Sequence, residues 1–213
     1  MANSPTRILL VRHGEVPGIS PPAFRGRIDL ALTPTGRRQA EATGDVVAEA
    51  FCVDAAYASP LSRCMHTADI VAEAFDMAPI ALPEFTDIDY GAWQGRTYQE
   101  IREEQPDLFA RWFSTPHLAD IPGGETLYQA AQRVETVFRL IMDRHIGQTV
   151  LLVGHDSVNR LLLLLALDLP LSRFWHLRQD PCALSVFEHE NANDWIIHSI
   201  NQTAHLIAAG LQT

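Results

Sequence analysis

Apolar positions along this 213-residue chain fall into two alternating patterns. Short continuous runs at Arg7–Arg12, Ala55–Ala58, Pro79–Pro83 and Thr149–Val153 read as strands, the strongest of them buried on both faces. Between them lie stretches of helical period. Thr33-Pro34 has the cap-plus-proline start of a helix that carries Ala40, Val46, Val47 and Phe51 on one face. Ser59-Pro60 repeats that signature and predicts a helix running to Ala74. Tyr98 to Phe113 is helical with a break at Pro106. Thr126 to His145 is a long helix with Ala130, Val134, Val137, Leu140 and Ile141 facing inward, and Ser157 to Leu167 is another. Ala183–Glu188 and Trp195–Ile200 close the chain as two strands joined around Asn191-Ala192-Asn193.

This alternation predicts one α/β domain over residues 1–213, a three-layer α/β/α sandwich with a mostly parallel central sheet. In such sheets ligands bind beyond the carboxyl ends of the strands. His13, Ser59 and His155 each follow a predicted strand, so they are expected at one edge.

Composition narrows the partners. The net charge of −10 argues against nucleic acid, since no basic face can dominate the surface. The leucine run Leu161–Leu165 is far too short to span a bilayer. Met1 to Arg7 has no apolar signal core, and Cys52, Cys64 and Cys182 show neither paired spacing nor clustering with histidine. A cytoplasmic protein with reduced thiols is expected.

The chemistry sits where the strands stop. Ile8-Leu9-Leu10-Val11 runs into Arg12-His13-Gly14, and Val150-Leu151-Leu152-Val153 runs into Gly154-His155. An imidazole can attack phosphorus, and guanidinium groups can hold the equatorial oxygens. His13 is the candidate nucleophile, kept neutral by nearby arginines. Arg12 and Arg63 are the candidate phosphate clamps, Arg63 standing in the first turn of its predicted helix. His155 is the candidate donor to the phosphoryl oxygens.

Five segments in order carry a family resemblance: Arg12-His13-Gly14; Ser59-Pro60-Leu61-Ser62-Arg63 with Thr67 and Ala68; Gly91-x-Trp93-x-Gly95; Gly123-Gly124-Glu125-Thr126; and Gly154-His155. From about Ile8 to about Leu165 the chain resembles the histidine phosphatase superfamily, with its phosphoglycerate-mutase-like fold. The resemblance implies that a backbone carbonyl fixes the His13 tautomer. It also implies a proton-donating carboxylic acid four residues before the glycine of Gly-x-Trp, which is Asp87, an aspartate where the family commonly has glutamate. Asp156, beside His155 as in the phytase-like branch, and Glu84 are the rivals. Arg25 and Gly26 align with a substrate-contacting segment. The first loop departs from the family at Ile19 and Ala23, where asparagine and arginine are usual. Glu125 would bond a pocket arginine or merely start a helix, and Trp112 and Phe113 lie in the segment that covers the family's pocket.

These residues imply a metal-independent phosphomonoesterase that works through a phosphohistidine and needs no cofactor. Its partner would be a small phosphate ester, with a homodimer left open. The segment Asp89 to Gly95 looks like the broad-specificity and α-ribazole phosphatase members. The alternative is a cofactor-dependent phosphoglycerate mutase, whose basic signature would have to come from Arg96, Arg102 and Arg111. A non-catalytic phosphate-binding protein ranks last, because His13 and both arginines are present.

Overall fold

The computed structural model describes residues 4–17, 21–191 and 194–211. Six strands form one sheet: β1 (Thr6–Arg12), β2 (Ala55–Ala58), β3 (Ile80–Ala81), β4 (Thr149–Gly154), β5 (Leu184–Asn191) and β6 (Asp194–Gln202). Their order is β3-β2-β4-β1-β5-β6. The first four run parallel, and β5 and β6 add two antiparallel strands at one side.

The period-two alternation of the strands makes the layers. Ile8, Leu10, Val150 and Leu152 point to one face, where α5 (Leu127–Arg144) and α6 (Asp156–Ala166) pack with Val134, Phe138, Leu161 and Leu162. Leu9, Val11, Leu151 and Val153 point to the other, against Val47 of α1 (Pro34–Ala50) and Cys64, Ala68 and Val71 of α2 (Ser62–Ala72). Ile8 to Val11 are each at most 1% exposed. Burying side chains of that size contributes about 1.5–3 kcal/mol apiece. The centre of the sheet is therefore the best-anchored part of the chain.

Several sequence expectations need correction. The Ser59-Pro60 helix starts later, at Ser62, with Leu61 at the cap position and no side-chain cap bond. Asp29, from a distant loop, accepts from the Ser62 backbone N–H at 2.8 Å and the Ser62 hydroxyl at 2.6 Å. That leaves the Ser59 hydroxyl for other work. Leu140 does not face inward but is 63% exposed. At roughly 100° per residue, it lies about 60–120° around the helix from Ala130, Val134, Val137 and Ile141. The break expected at Pro106 is present, giving α3 (Tyr98–Glu104) and α4 (Pro106–Ser114). The proline lacks the N–H needed to continue α3 and instead opens α4. The short α7 (Ala204–Ala208) follows β6. Ile19 and Ala192-Asn193 lie outside the described residues. Among the described residues, no helix is long and apolar enough to cross a membrane.

Candidate active site

The central strands β2, β4 and β1 end side by side, and their ladder bonds continue one residue further. His13 N–H donates to the Gly154 carbonyl at 3.0 Å, and Ser59 N–H donates to the Val153 carbonyl at 3.1 Å. His13 and Ser59 are thus set by main-chain hydrogen bonds, and His13, Ser59 and His155 are 5%, 0% and 0% exposed. The rings of His13 and His155 stand edge to face, with centroids 5.3 Å apart. Close approach of two glycines lets the chain leave β1 here: a Cβ on Gly14 would lie 2.4 Å from the Gly36 carbonyl oxygen.

His13 Nδ1–H donates to the Gly14 carbonyl at 2.7 Å. A carbonyl can only accept, so Nδ1 carries the proton and Nε2 keeps its lone pair. Burial pushes the His13 ring well below the ordinary imidazole range, and His155, Arg12 and Arg63 push the same way. His155 is lowered for the same reason, burial first and then Arg63, Arg12 and Arg133. Both rings are neutral at pH 7.

Arg63, 1% exposed, is the hub of the site. Its Nε donates to His155 Nδ1 at 3.3 Å. Its terminal nitrogens donate to the Ile28 carbonyl at 2.7 Å, the Gly26 carbonyl at 2.8 Å and Asp87 Oδ2 at 3.4 Å. Gly26 holds a left-handed backbone, φ 50°, that turns its carbonyl to this arginine. With His155 Nδ1 accepting, Nε2–H is the donor of that ring, and it bonds the Ser59 hydroxyl at 2.7 Å. Arg12 bonds the Gln179 carbonyl through one terminal nitrogen, while its buried Nε–H has no protein partner among the described residues. An unmet buried donor costs about 1–3 kcal/mol, which an anion would offset.

A cavity of about 60 Å³ opens at this edge, lined by Arg12, His13, Arg25, Gly26, Arg63 and Asp87, with Tyr90, Tyr98, Asp156 and Ser157 among its other walls. The structure thus gathers Arg12, His13, Arg25, Gly26, Arg63, Asp87 and the rival Asp156 around one small cavity; His155 does not line it and contacts His13 and Arg63. Asp87 Oδ1 accepts from the Ser157 hydroxyl and from the Ile88 N–H at 2.9 Å. Oδ2 faces Arg63 and stands 3.8 Å from His155 Nδ1. The rival Asp156 pairs with Arg160 at 2.7 Å, and that guanidinium lies over the Trp175 ring at 4.7 Å. Glu84, Arg96, Arg102 and Arg111 do not line the cavity, and Arg96 pairs with Glu104. Ser157, which the sequence placed only at the start of a helix, holds Asp87 through its hydroxyl.

Trp112 is 2% exposed and packs on Tyr90, Phe174 and Trp175, so it is a wall of the core. Glu125 bonds Arg133 and Arg27, not an arginine of the cavity. Arg133 itself gave no sequence signal. Among the described residues, no three of His, Cys, Asp and Glu are grouped to hold a metal ion. A larger cavity of 440 Å³, lined in part by Phe138, Met142, Leu165 and Trp195, contains none of the site residues.

The same architecture recurs in known proteins. The histidine phosphatase superfamily (branch 1) profile matches residues 8–203. Phosphoserine phosphatase 1 of Hydrogenobacter thermophilus is 32% identical over 200 residues, covering 94% of each chain. A metal-independent phosphoserine phosphatase of Arabidopsis thaliana is 30% identical over 207 residues, covering 96% of this chain and 85% of the relative. The solved structure of Bacillus stearothermophilus YhfR superposes with a TM-score of 0.88 at 29% identity, covering 94% of this chain and 99% of that one. The chain belongs to the histidine phosphatase superfamily, branch 1, and is a phosphomonoester hydrolase of that family.

Proposed function

We propose that the enzyme hydrolyses a small phosphomonoester, without a metal, through a phosphohistidine on His13. The observation that carries this reading is the Nδ1–H bond from His13 to the Gly14 carbonyl, inside a cavity where Arg12, Arg25 and Arg63 converge. His13 Nε2 donates its lone pair to phosphorus as the ester P–O bond breaks. The departing alkoxide takes a proton from Asp87. Ser157 and the Ile88 N–H hold Oδ1 of that carboxyl, and Arg63 faces Oδ2. Asp87 then takes a proton from the water that attacks phosphorus, the P–N bond breaks, and phosphate leaves. The arginines supply the positive charge that a divalent ion gives in other phosphoryl transfers. His155 supplies a further donor when its Nε2–H exchanges Ser59 for a phosphoryl oxygen.

The alcohol we favour carries both a carboxylate and an ammonium group. The cavity presents Arg25 for the first. For the second it presents Asp156, whose Oδ1 is engaged by Arg160. O-phosphoserine fits this pattern and is the substrate named for two of the relatives above. The three cysteines are free, which suits a cytoplasmic setting.

A panel assayed in excess EDTA tests the reading. O-phosphoserine is expected to be hydrolysed faster than 3-phosphoglycerate, which has the carboxylate but no ammonium. Asp156→Asn should lower kcat/KM for O-phosphoserine by about tenfold, the size of one charge-assisted hydrogen bond, and leave 3-phosphoglycerate largely unaffected. Equal loss on both substrates contradicts the role given to Asp156. Abolition by EDTA with recovery on Mg²⁺ contradicts the metal-free chemistry.

A further inference from the structure

Residues 86–90, between the 3₁₀ turns Pro83–Phe85 and Gly91–Trp93, have no regular structure, yet they carry Asp87. Their main-chain groups must find partners elsewhere. They find them on α5 and on the residues just before it. Arg133 donates through one terminal nitrogen to the Glu84 carbonyl and through the other to the Asp87 carbonyl at 3.3 Å. Glu125 accepts from the Asp89 N–H at 3.0 Å, and its own N–H returns a bond to the Asp89 carbonyl at 3.0 Å. The same carboxylate holds Arg133, Oε1 to Nη2 at 2.6 Å and Oε2 to Nε at 2.9 Å. Their side chains are 20% and 12% exposed. Arg133 is rooted in a helix whose Ala130, Val134 and Val137 lie in the core.

We propose that Arg133, braced by Glu125, positions the proton donor of the reaction. The proposal rests on the reading of Asp87 as the general acid. An exposed ion pair contributes little by itself, but here the guanidinium fork spans two carbonyls three residues apart and fixes the loop between them. The aspartate makes this placement matter. Its carboxyl is one methylene closer to the backbone than the commoner glutamate, so it has fewer torsions with which to correct a displaced loop. A shift of about 1 Å in a reacting group can cost on the order of 10²-fold in rate. Arg27 also reaches the Asp87 carbonyl, but at 3.5 Å from a side chain 42% exposed, so it is the lesser support.

The test compares a poor leaving group, O-phosphoserine, with a good one, p-nitrophenyl phosphate. Only the first needs a proton from the enzyme. Asp87→Asn sets the reference and should slow O-phosphoserine selectively, by on the order of 10²-fold. Arg133→Met should reproduce that selectivity at on the order of tenfold, with kcat moving more than KM. Glu125→Gln, which keeps an acceptor for Asp89 but loses the charge that braces Arg133, should show it more weakly. If Asp87→Asn is selective while Arg133→Met slows both substrates equally, or neither, the positioning role is overturned. If Asp87→Asn itself shows no selectivity, the acid assignment falls and the proposal falls with it. Should Arg133→Met fail to fold, Glu125→Gln carries the test with the same two outcomes.

Discussion

His13 and His155 follow directly on buried central strands, whereas Asp87 sits in a loop that neither begins nor ends in a strand. The first pair is placed by short-range continuity: a buried strand, then the functional ring, with a glycine after His13 and before His155. Asp87 is placed by side chains from far away in sequence, Arg63, Ser157 and Arg133. The nucleophile side of the cavity is as rigid as the sheet. The acid side is only as rigid as a few polar contacts. In the chemistry proposed above both groups need fixed positions: the ladder supplies one for His13, and the contacts from Arg63, Ser157 and Arg133 supply one for Asp87, where no strand does.

The sharpest way to break this comparison is at the two poles themselves. His13→Ala should abolish turnover of every substrate, a loss on the order of 10⁴-fold or more, as for other covalent nucleophiles. Asp87→Asn should discriminate between leaving groups instead. If both variants act alike on all substrates, the two sides do not divide the labour as described.

A smaller effect separates the sides by pH. In the unfolded chain a histidine takes up a proton as pH falls through about 6.5, but the folded His13 and His155 stay neutral because both are lowered well below 6.5. The unfolded state then binds more protons, so stability falls as pH falls below about 6.5, and it is undiminished by these groups above that value. Each ring contributes a slope of up to about 1.4 kcal/mol per pH unit. Thermal melts from pH 7 to pH 5 should show this, and His13→Asn should remove part of the slope. A slope unchanged in that variant would show that His13 is not held neutral by the fold.

The smallest expected effect tests the remote support of Arg63's helix. Asp29→Ala removes the acceptor that caps α2 and should cost about 1 kcal/mol in urea unfolding. Ser59→Ala should cost α2 no cap at all, because Ser59 bonds His155 instead.

These contrasts also explain what could be read from the chain. The Arg12-His13 and Gly154-His155 sites were legible because strand period and strand end are local properties, and the edge they share follows from a parallel sheet. Asp87 was legible only through resemblance, since nothing in Glu84 to Gly91 distinguishes it from Asp89 or Glu84 by pattern. Arg133 was not legible, because its partners are backbone carbonyls 49 and 46 residues away. Ser59 misled because a serine before proline has the signature of a cap, and only the arrival of His155 from another strand gave its hydroxyl a better partner. Leu140 misled because one apolar residue beside a helix stripe looks like part of it until the angle is drawn.

The phosphoryl group on His13 is the most direct measurement of the account. Substrate is mixed with enzyme for milliseconds, quenched in alkali and digested, and the peptides are read by mass spectrometry. One phosphoryl group, stable in base and labile in acid, is expected on the peptide containing His13 and absent from the His13→Ala protein. A phosphoryl group on another residue, or wild-type turnover by His13→Ala, would contradict it.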